Sequence, residues 1–357
     1  MDDGSAWTVT EVAAPSGSPA VGRKAACRFA FVLLPDFSLM ALTATLEPLR
    51  HANHELGRDH YGWSLHSVDG TAVASSSGVR VTPDAGLDTV DPQANLIICG
   101  GPQVTRHVSR PLIGFIRRAA RHAPMLGGLC TAARVLAEAG VLDGYRATIH
   151  WESVDGLRET FPRIDIHDSL FEFDRERMTC AGETSGIDMM VTWLAARHGQ
   201  GLASKVAAQL LHSRVRSASE PQSPPQLRYA TRNPLLLRAI DLMSQHVEEP
   251  LDIMDIALRL GCSRRQIERI FSYQMKCSPV AFYRNLRLDR ARQLLSETRL
   301  GCMEVATACG FLSATSFSKA YRQRFGVTPH KDRGIPRLGG HDAMRLHAPG
   351  RLEARAN

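Results

Sequence analysis

The chain has 357 residues, 44% of them hydrophobic and 22% charged, with a formal net charge of +7. Its length allows two or three domains, each with a core of its own, and its apolar runs are shorter than the ~20 residues of a membrane-spanning helix. Its eight cysteines include no CxxC pair, which argues against a zinc site or a disulfide scaffold. We therefore expect a cytoplasmic protein with buried thiols and with no metal and no cofactor.

Residues 1–26 are polar and rich in Gly, Ser and Pro, without the apolar stretch of a secretory signal, and we predict a disordered tail there. Residues 27–212 then alternate strand-like and helix-like segments. The predicted strands are 29–34, 63–68, 94–101, 125–128, 146–150, 164–167, 171–173 and 178–181. The predicted helices are 38–55, 104–122, 131–139, 152–160, 185–197 and 202–211. This alternation predicts an α/β domain, with a parallel sheet flanked by helices as in flavodoxin-like folds.

Residues 213–232 lose the apolar spacing and include three prolines, which favours an interdomain linker. Residues 233–333 have helical spacing throughout and predict an all-α domain, followed by a second disordered tail over residues 334–357. Residues 233–334 hold 16 Lys and Arg against 10 Asp and Glu, whereas the rest of the chain holds 27 against 26. The excess positive charge is therefore local, and it indicates a polyanion as the partner of the α-helical part.

Two segments of the all-α part repeat one pattern: an apolar short helix, a turn glycine, and a serine that can cap a second helix. The glycines are Gly261 and Gly310, 49 residues apart, and the caps are Ser263 and Ser313. This pattern is typical of helix-turn-helix units, whose second helices enter the major groove of double-stranded DNA. A helical bundle with a charged, solvated face is the competing interpretation. The side chains expected to face DNA are Arg264, Arg265, Gln266 and Arg269 in the first unit, and Thr315, Ser316, Ser318, Lys319 and Arg322 in the second.

In such units Arg and Gln read base edges, whereas Lys, Ser and Thr hold phosphates. The segment 306–311, the run 316–326 and the sequence Val-Thr-Pro at 327–329 resemble the signature of the AraC family, over about residues 234–333. The resemblance implies a transcription regulator that binds double-stranded DNA. We expect an activator, with RNA polymerase and a second copy of the chain as further partners.

In the front domain, residues 124–132 predict a strand, a sharp turn and a helix. Cys130 stands between Gly128 and Ala132 at the spacing of a nucleophile elbow. Such a turn places the thiol at the carboxyl edge of the sheet, where open α/β sheets bind ligands. Residues 28–211 resemble the ThiJ/PfpI superfamily, and together with the AraC-like part the chain resembles the GlxA type of regulator. The Cys-His-Gly elbow of that superfamily is Cys130-Thr131-Ala132 here, so the histidine of its enzymatic members is missing.

We therefore predict no catalysis but a pocket for a small-molecule effector. Its expected lining is Glu47, Gly101, Cys130, Thr131, His150, Trp151 and Glu183. Trp151 can face a quaternary ammonium group, with core packing as the alternative, and either glutamate can pair with an amine. The Glu-Pro-Leu-Arg segment at 47–50 resembles GlxA-type regulators that respond to nitrogen compounds such as betaine, carnitine or arginine. The resemblance thus implies a quaternary amine or an amino-acid-like effector.

Two other functions remain open at this point. The chain could be a cysteine-dependent hydrolase or glyoxalase-like enzyme fused to a DNA-binding domain, or an architectural DNA-binding protein with an inert front domain. The missing base beside Cys130 favours the regulator over the enzyme.

Overall fold

A computed structural model describes residues 25–223, 225–298 and 300–333. Nearly all of the first predicted tail and the whole of the second lie outside these residues. The strands are β1 Cys27–Leu33, β2 Tyr61–His66, β3 Val73–Ala74, β4 Arg80–Val81, β5 Asn95–Cys99, β6 Leu126–Leu129, β7 Arg146–Ala147, β8 Asp165–Ile166, β9 Phe171–Asp174 and β10 Arg177–Cys180.

The helices of the front domain are α1 Leu39–Leu56, α2 Arg110–Ala119, α3 Ala133–Glu138, α4 Val154–Thr160, α5 Ser185–His198 and α6 Gln200–Gln209. The helices of the C-terminal part are α7 Pro225–Arg228, α8 Pro234–Gln245, α9 Ile253–Arg259, α10 Arg264–Ile270, α11 Pro279–Glu297, α12 Cys302–Ala308, α13 Ala314–Phe325 and α14 Pro329–Arg333. Within the described residues, no helix is both long and apolar enough to cross a bilayer.

The main sheet has six strands in the order β2-β1-β5-β6-β10-β9. Five of them are parallel, and β9 pairs antiparallel with β10 because a two-residue turn joins them. Alternate side chains of β1 enter two cores on opposite faces of the sheet. One core holds α1, α5 and α6, and the other holds α2, α3 and α4. The predicted parallel sheet with helices on both faces is confirmed.

Several predicted elements have other bounds. The helix predicted at 104–122 is a 3-10 turn, Val104–His107, followed by α2. Ser109 caps α2 and Pro111 has no N–H to donate, so the chain restarts a helix there rather than continuing one. The strand predicted at 146–150 is only two residues long, and the short β3–β4 pair was not predicted.

The segment predicted as a linker is bound to the front domain along much of its length. Asp188, on α5, is fully buried, and Arg216 binds it with Nη2–Oδ2 at 2.6 Å and Nε–Oδ2 at 2.9 Å. Gln222 Nε2 donates to the carbonyls of Ile149 and Ser169, both at 2.9 Å. A buried carboxylate requires a charged partner, and this pairing fixes residues 212–216 to helix α5. Helix α7 then starts within the predicted linker.

The C-terminal part is all-α, as predicted, and holds two separate cores. One lies among α8, α9, α10 and the start of α11, and the other among the end of α11, α12 and α13. Helix α11 contributes Phe282 and Tyr283 to the first core and Leu288 and Leu294 to the second. This 19-residue helix, about 28 Å long, therefore sets the separation of the two units.

Candidate functional site

Four strands end at one point of the sheet, and the residues that follow them converge there. Ser38 follows β1, Gly101 follows β5, Cys130 follows β6 and Glu183 follows β10. Because these strands are parallel, their carboxyl ends share one edge, the usual ligand-binding edge of an open α/β sheet. Ser38 Oγ donates to Glu183 Oε1 at 3.2 Å, which joins two of the four loops directly.

The sharp turn predicted at Cys130 is present. Cys130 has a φ of +58°, which is strained for a residue with a side chain, and its N–H donates to the Cys180 carbonyl at 3.0 Å. Gly182 makes this approach possible, because a Cβ at Gly182 would lie 2.9 Å from Cys130 Cβ. Packing against β10 and its loop therefore holds the elbow.

The thiol at the elbow is not an activated nucleophile. Cys130 is only 5% exposed, and burial, followed by the negative charge of Glu183, raises its pKa to about 12. Glu152 adds to this effect. Thr131, which stands where enzymes carry a histidine, donates its hydroxyl to the Gly101 carbonyl at 2.6 Å. The neutral thiol therefore predominates at physiological pH, and the thiolate is the reactive form.

The segment after β7 borders the same edge. The backbone N–H of His150 donates to the Cys130 carbonyl at 3.2 Å, which fixes this segment beside the elbow. His150 Nδ1 lies 3.8 Å from Glu152 Oε2, and burial lowers the pKa of His150 to about 4. The edge therefore combines two carboxylates, Glu152 and Glu183, with a histidine that is neutral at physiological pH. We call this part of the edge, around His150, Glu152 and Glu183, the elbow rim. Its two carboxylates attract a cation.

A cation of the protein itself already lies at this rim. The guanidinium of Arg228, at the end of α7, lies 4.3 Å from the ring centroid of Trp151. Its charge also lowers the pKa of Glu152, although burial of that carboxyl is the larger effect and raises it. Cys130 and Thr131 are 5% and 8% exposed, so a ligand reaches the elbow only if the rim moves.

The two second helices of the repeated pattern present polar faces to solvent. Ser263 Oγ accepts from the Gln266 N–H at 3.2 Å, and Ser313 Oγ accepts from the Ser316 N–H at 3.2 Å, so both predicted caps are present. Among the predicted DNA-facing residues, Ser318 is half-buried and the rest are exposed, namely Arg264, Arg265, Gln266, Arg269, Thr315, Ser316, Lys319 and Arg322.

Two of these side chains have partners within their own helix. Arg264 Nε lies 2.8 Å from Glu268 Oε1, and Ser316 Oγ donates to the Ser313 carbonyl at 2.9 Å. Arg264 must therefore leave or share Glu268 to contact a base, and Ser316 serves first as part of the helix cap.

Polar contacts from α11 hold the second unit in place. Arg287 donates to the carbonyls of Cys309 and Gly310, at 2.7 and 2.5 Å, next to the turn. Arg324, on α13, binds Asp289 through both carboxylate oxygens, at 2.7 and 2.6 Å. These bonds join α11 to both helices of the unit, so α13 follows a movement of α11.

The chain matches two protein families and a group of named regulators. Residues 28–196 match the DJ-1/PfpI family and residues 256–334 match a helix-turn-helix domain. The HTH-type transcriptional regulator GbdR of Pseudomonas aeruginosa is 40% identical over 310 residues, which cover 87% of this chain and 84% of that protein. CdhR, an HTH-type transcriptional regulator of the same organism, is 40% identical over 322 residues, which cover 90% and 96%.

The HTH-type transcriptional regulator GlxA of Rhizobium meliloti is 34% identical over 305 residues, covering 85% of this chain and 94% of that protein. The chain belongs to the family of these HTH-type transcriptional regulators. It is a DNA-binding transcription regulator of the AraC type with a DJ-1/PfpI front domain. In this GlxA-type regulator, α10 and α13 are the second helices of the two helix-turn-helix units, the position of the recognition helix in such units.

The structure brings most of the predicted effector residues together. Cys130, Thr131, His150, Trp151 and Glu183 all lie at or next to the elbow. Gly101 also lies there, but it is buried, and a Cβ at this position would lie 1.8 Å from the Asp36 carbonyl oxygen, so its backbone is needed for a close loop contact.

Glu47 has partners elsewhere. It lies on α1, nine residues beyond Ser38 and hence about 13 Å farther along the helix axis, where its Oε2 lies 2.6 Å from Arg50 Nε. The sequence expectation that Glu47 lines the elbow pocket is not supported by this geometry.

Two residues of the rim were not predicted. Glu152 follows Trp151 directly, so a carboxylate beside the expected aromatic was a usable sequence signal. Arg228 lies 77 positions after Trp151, in the segment interpreted as a linker, and only the tertiary structure brings it to the ring. Among the described residues, no group of three His, Cys, Asp or Glu side chains could hold a metal ion.

Proposed function

We propose that this regulator is a cytoplasmic activator whose DNA binding responds to a small cationic effector, a quaternary amine or an amino-acid-like nitrogen compound, at the elbow rim. The observation that carries the proposal is the position of Arg228. The protein's own guanidinium lies on Trp151 beside Glu152, and a cationic ligand would need the same two groups. Aromatic faces and carboxylates are the groups that recognise such cations.

The residues that follow Arg228 pack against the DNA-binding half of the chain. The next residue, Tyr229, packs its ring against Phe282 of α11 at a centroid distance of 5.9 Å. Thr231 Oγ1 donates to Gln274 Oε1 at 2.5 Å, just after the first recognition helix. A ligand that displaces Arg228 therefore pulls on the segment that leads into the first helix-turn-helix unit.

A second contact joins the two halves. Asp155, on α4, forms an ion pair with Arg290 of α11, and α4 directly follows the 3-10 turn Trp151–Ser153. Helix α11 holds both units, so a shift of this turn reaches the recognition helices by a second route. In this proposal the ligand favours one arrangement of the two halves over another by differential affinity.

The effector proposal is tested by thermal unfolding and calorimetry of the full chain with betaine, carnitine and arginine. A ligand at 100 times its Kd stabilises the folded protein by about 2.7 kcal/mol. We expect stabilisation by at least one compound, and we expect Glu183→Gln and Glu152→Gln to weaken the binding of that compound. Glu47→Gln is the matched control, because this carboxylate lies away from the elbow. If no compound stabilises the protein, the proposed effector class is wrong.

The roles of the single DNA-facing residues, a homodimer and a contact with RNA polymerase are further parts of the proposal. Footprinting of the protein's own promoter with and without the same compounds tests the first. Light scattering tests the homodimer, and a monomer would contradict it. Transcription with purified polymerase tests the polymerase contact, and transcription that no compound changes would contradict that contact.

One observation favours the enzyme as a second candidate. His150 and Glu152 lie beside Cys130, as a base and its orienting acid would. Against this, the pKa of Cys130 is about 12, so the thiolate is scarce at physiological pH. We therefore propose that the front domain is not catalytic. Turnover of p-nitrophenyl acetate or methylglyoxal by the wild type, abolished in Cys130→Ser, would reverse this conclusion.

A further inference from the structure

The front domain carries a long stretch of chain without a negative charge. Residues 92–137 contain six arginines and no Asp or Glu. Five of the six, Arg106, Arg110, Arg117, Arg118 and Arg121, lie on or next to α2 and are exposed. We call these five residues the α2 basic face.

Helix α2 presents this face to solvent because its apolar side packs into the core of the front domain. Leu112 and Ile116 are fully buried in the second core of the front domain, so the opposite side points outward. Residues 110 and 117 are seven positions apart and share one side of the helix, and Arg121 follows two residues after its end. The ten-residue helix is about 15 Å long.

The arginines of this face have no carboxylate partner within ion-pair distance in the part of the chain that the structure describes. Within the described residues, none of the five lies within 4.0 Å of a carboxylate, and residues 92–137 supply no Asp or Glu that could pair with them. Arg117 Nε donates to the Ala139 carbonyl at 2.9 Å. The positive charge of the face is therefore not neutralised locally, and an external anion would supply the missing partner.

We propose that the α2 basic face binds phosphates of the DNA duplex, as a sequence-independent contact in addition to the two recognition helices. Once the helix-turn-helix units hold the duplex, the same DNA is tethered to the front domain at a high effective concentration. Fifteen ångströms of duplex carry about nine phosphate charges, and Arg forms paired hydrogen bonds with phosphate oxygens.

The composition of the face favours DNA over a protein partner. Protein interfaces are anchored by buried aromatic or aliphatic side chains, and the large exposed hydrophobic side chains of the described residues all lie outside 104–122. The α2 basic face is charged but has no large exposed apolar side chain that could anchor a protein partner. On a DNA-binding regulator, such a surface is suited to the phosphate backbone.

The test uses the full chain and random-sequence duplexes of 20 and 60 base pairs, with binding followed by fluorescence anisotropy between 50 and 300 mM salt. The variant is the triple substitution Arg110→Gln, Arg118→Gln and Arg121→Gln, which leaves the partly bonded Arg117 in place. The matched control, Arg58→Gln, Arg80→Gln and Arg163→Gln, removes the same charge from exposed positions elsewhere on the front domain.

The magnitude of the slope of log K against log salt falls by about 0.9 for each phosphate that the protein no longer neutralises. On the 60-base-pair duplex we expect this magnitude to be smaller by up to about 3 in the α2 triple variant and unchanged in the control triple variant. Each single substitution should lower the magnitude of the slope by about 0.9, so the single variants still test the proposal if the triple variant unfolds. On the 20-base-pair duplex the decrease should be smaller.

Equal slopes for the two triple variants on the long duplex would overturn the proposal. Wild-type DNA binding combined with lower transcription in the α2 variant would also overturn it, because the face would then contact polymerase. Lys319→Ala, on the second recognition helix, should lower the slope on both duplexes. This variant reports separately on the helix-turn-helix assignment, and no step of the test depends on an effector.

Discussion

The position of Arg228 leads to a prediction that distinguishes two roles for its guanidinium. It either competes with a cationic ligand for Trp151 or helps to form the binding site. In Arg228→Gln the guanidinium no longer lies over Trp151, so a cationic ligand has nothing to displace. Arg228 is exposed and its guanidinium lies 4.3 Å from the ring centroid, which places the cation–π attraction at the weak end, about 0.5–1 kcal/mol. Since 1.4 kcal/mol is a factor of ten, ligand affinity should rise about two- to fivefold.

The assay is isothermal calorimetry with whichever compound of the betaine, carnitine and arginine panel stabilises the wild type. Arg232→Gln is the matched control, because it removes an exposed arginine of the same segment. In the absence of ligand, Arg228→Gln should also shift operator affinity toward that of the ligand-bound wild type. Unchanged or weaker ligand binding by Arg228→Gln, with the control unchanged, would show that Arg228 does not stand in the place of the ligand.

Three further predictions concern the thiol, the turns and the DNA contacts. Because the pKa of Cys130 is about 12, its alkylation by iodoacetamide should be slow at pH 7 and rise about tenfold per pH unit to pH 9, and a plateau below pH 9 would contradict this. Gly310→Ala should destabilise the second unit by more than about 2 kcal/mol in thermal unfolding, because its φ is +69° and a Cβ would lie 2.7 Å from two carbonyl oxygens. Gly261→Ala, at +67° with open space around it, should cost only about 1 kcal/mol, and equal effects would refute the argument. Arg265→Ala should lower specific binding by about 1–3 kcal/mol, whereas Lys319→Ala should weaken all sequences alike, and gel-shift titrations against specific and random duplexes distinguish the two.

The sequence predicted well those elements whose signal is local. The apolar runs of β1 and β5 indicated buried strands, and Ser263 and Ser313 were recognisable as the caps of the helices that follow them. The elbow at Cys130 was also visible, because the residues around it were small and followed a strand. In each case the residues that make the element are neighbours in the chain.

The sequence predicted poorly those features that depend on distant partners. The proline-containing segment was interpreted as a linker, yet Arg216 is drawn to Asp188 because a buried carboxylate needs a counter-charge. Glu47 was assigned to the pocket because its carboxylate can pair with an amine, but in the structure it lies beside Arg50 farther along α1.

The order of residues alone therefore determined the two domain types, the elbow and the paired helix-turn-helix units. Apolar periodicity, turn glycines and helix caps act over only a few residues and can be seen in the chain itself. Only the tertiary structure decided which partners the charged groups find. Arg228 lies on the neutral ring of Trp151, and Arg290 pairs with Asp155. The arginines around α2 have no carboxylate of the described residues within ion-pair distance. Long-range electrostatic partners are set by how the sheet and helices pack, and no local pattern encodes that packing.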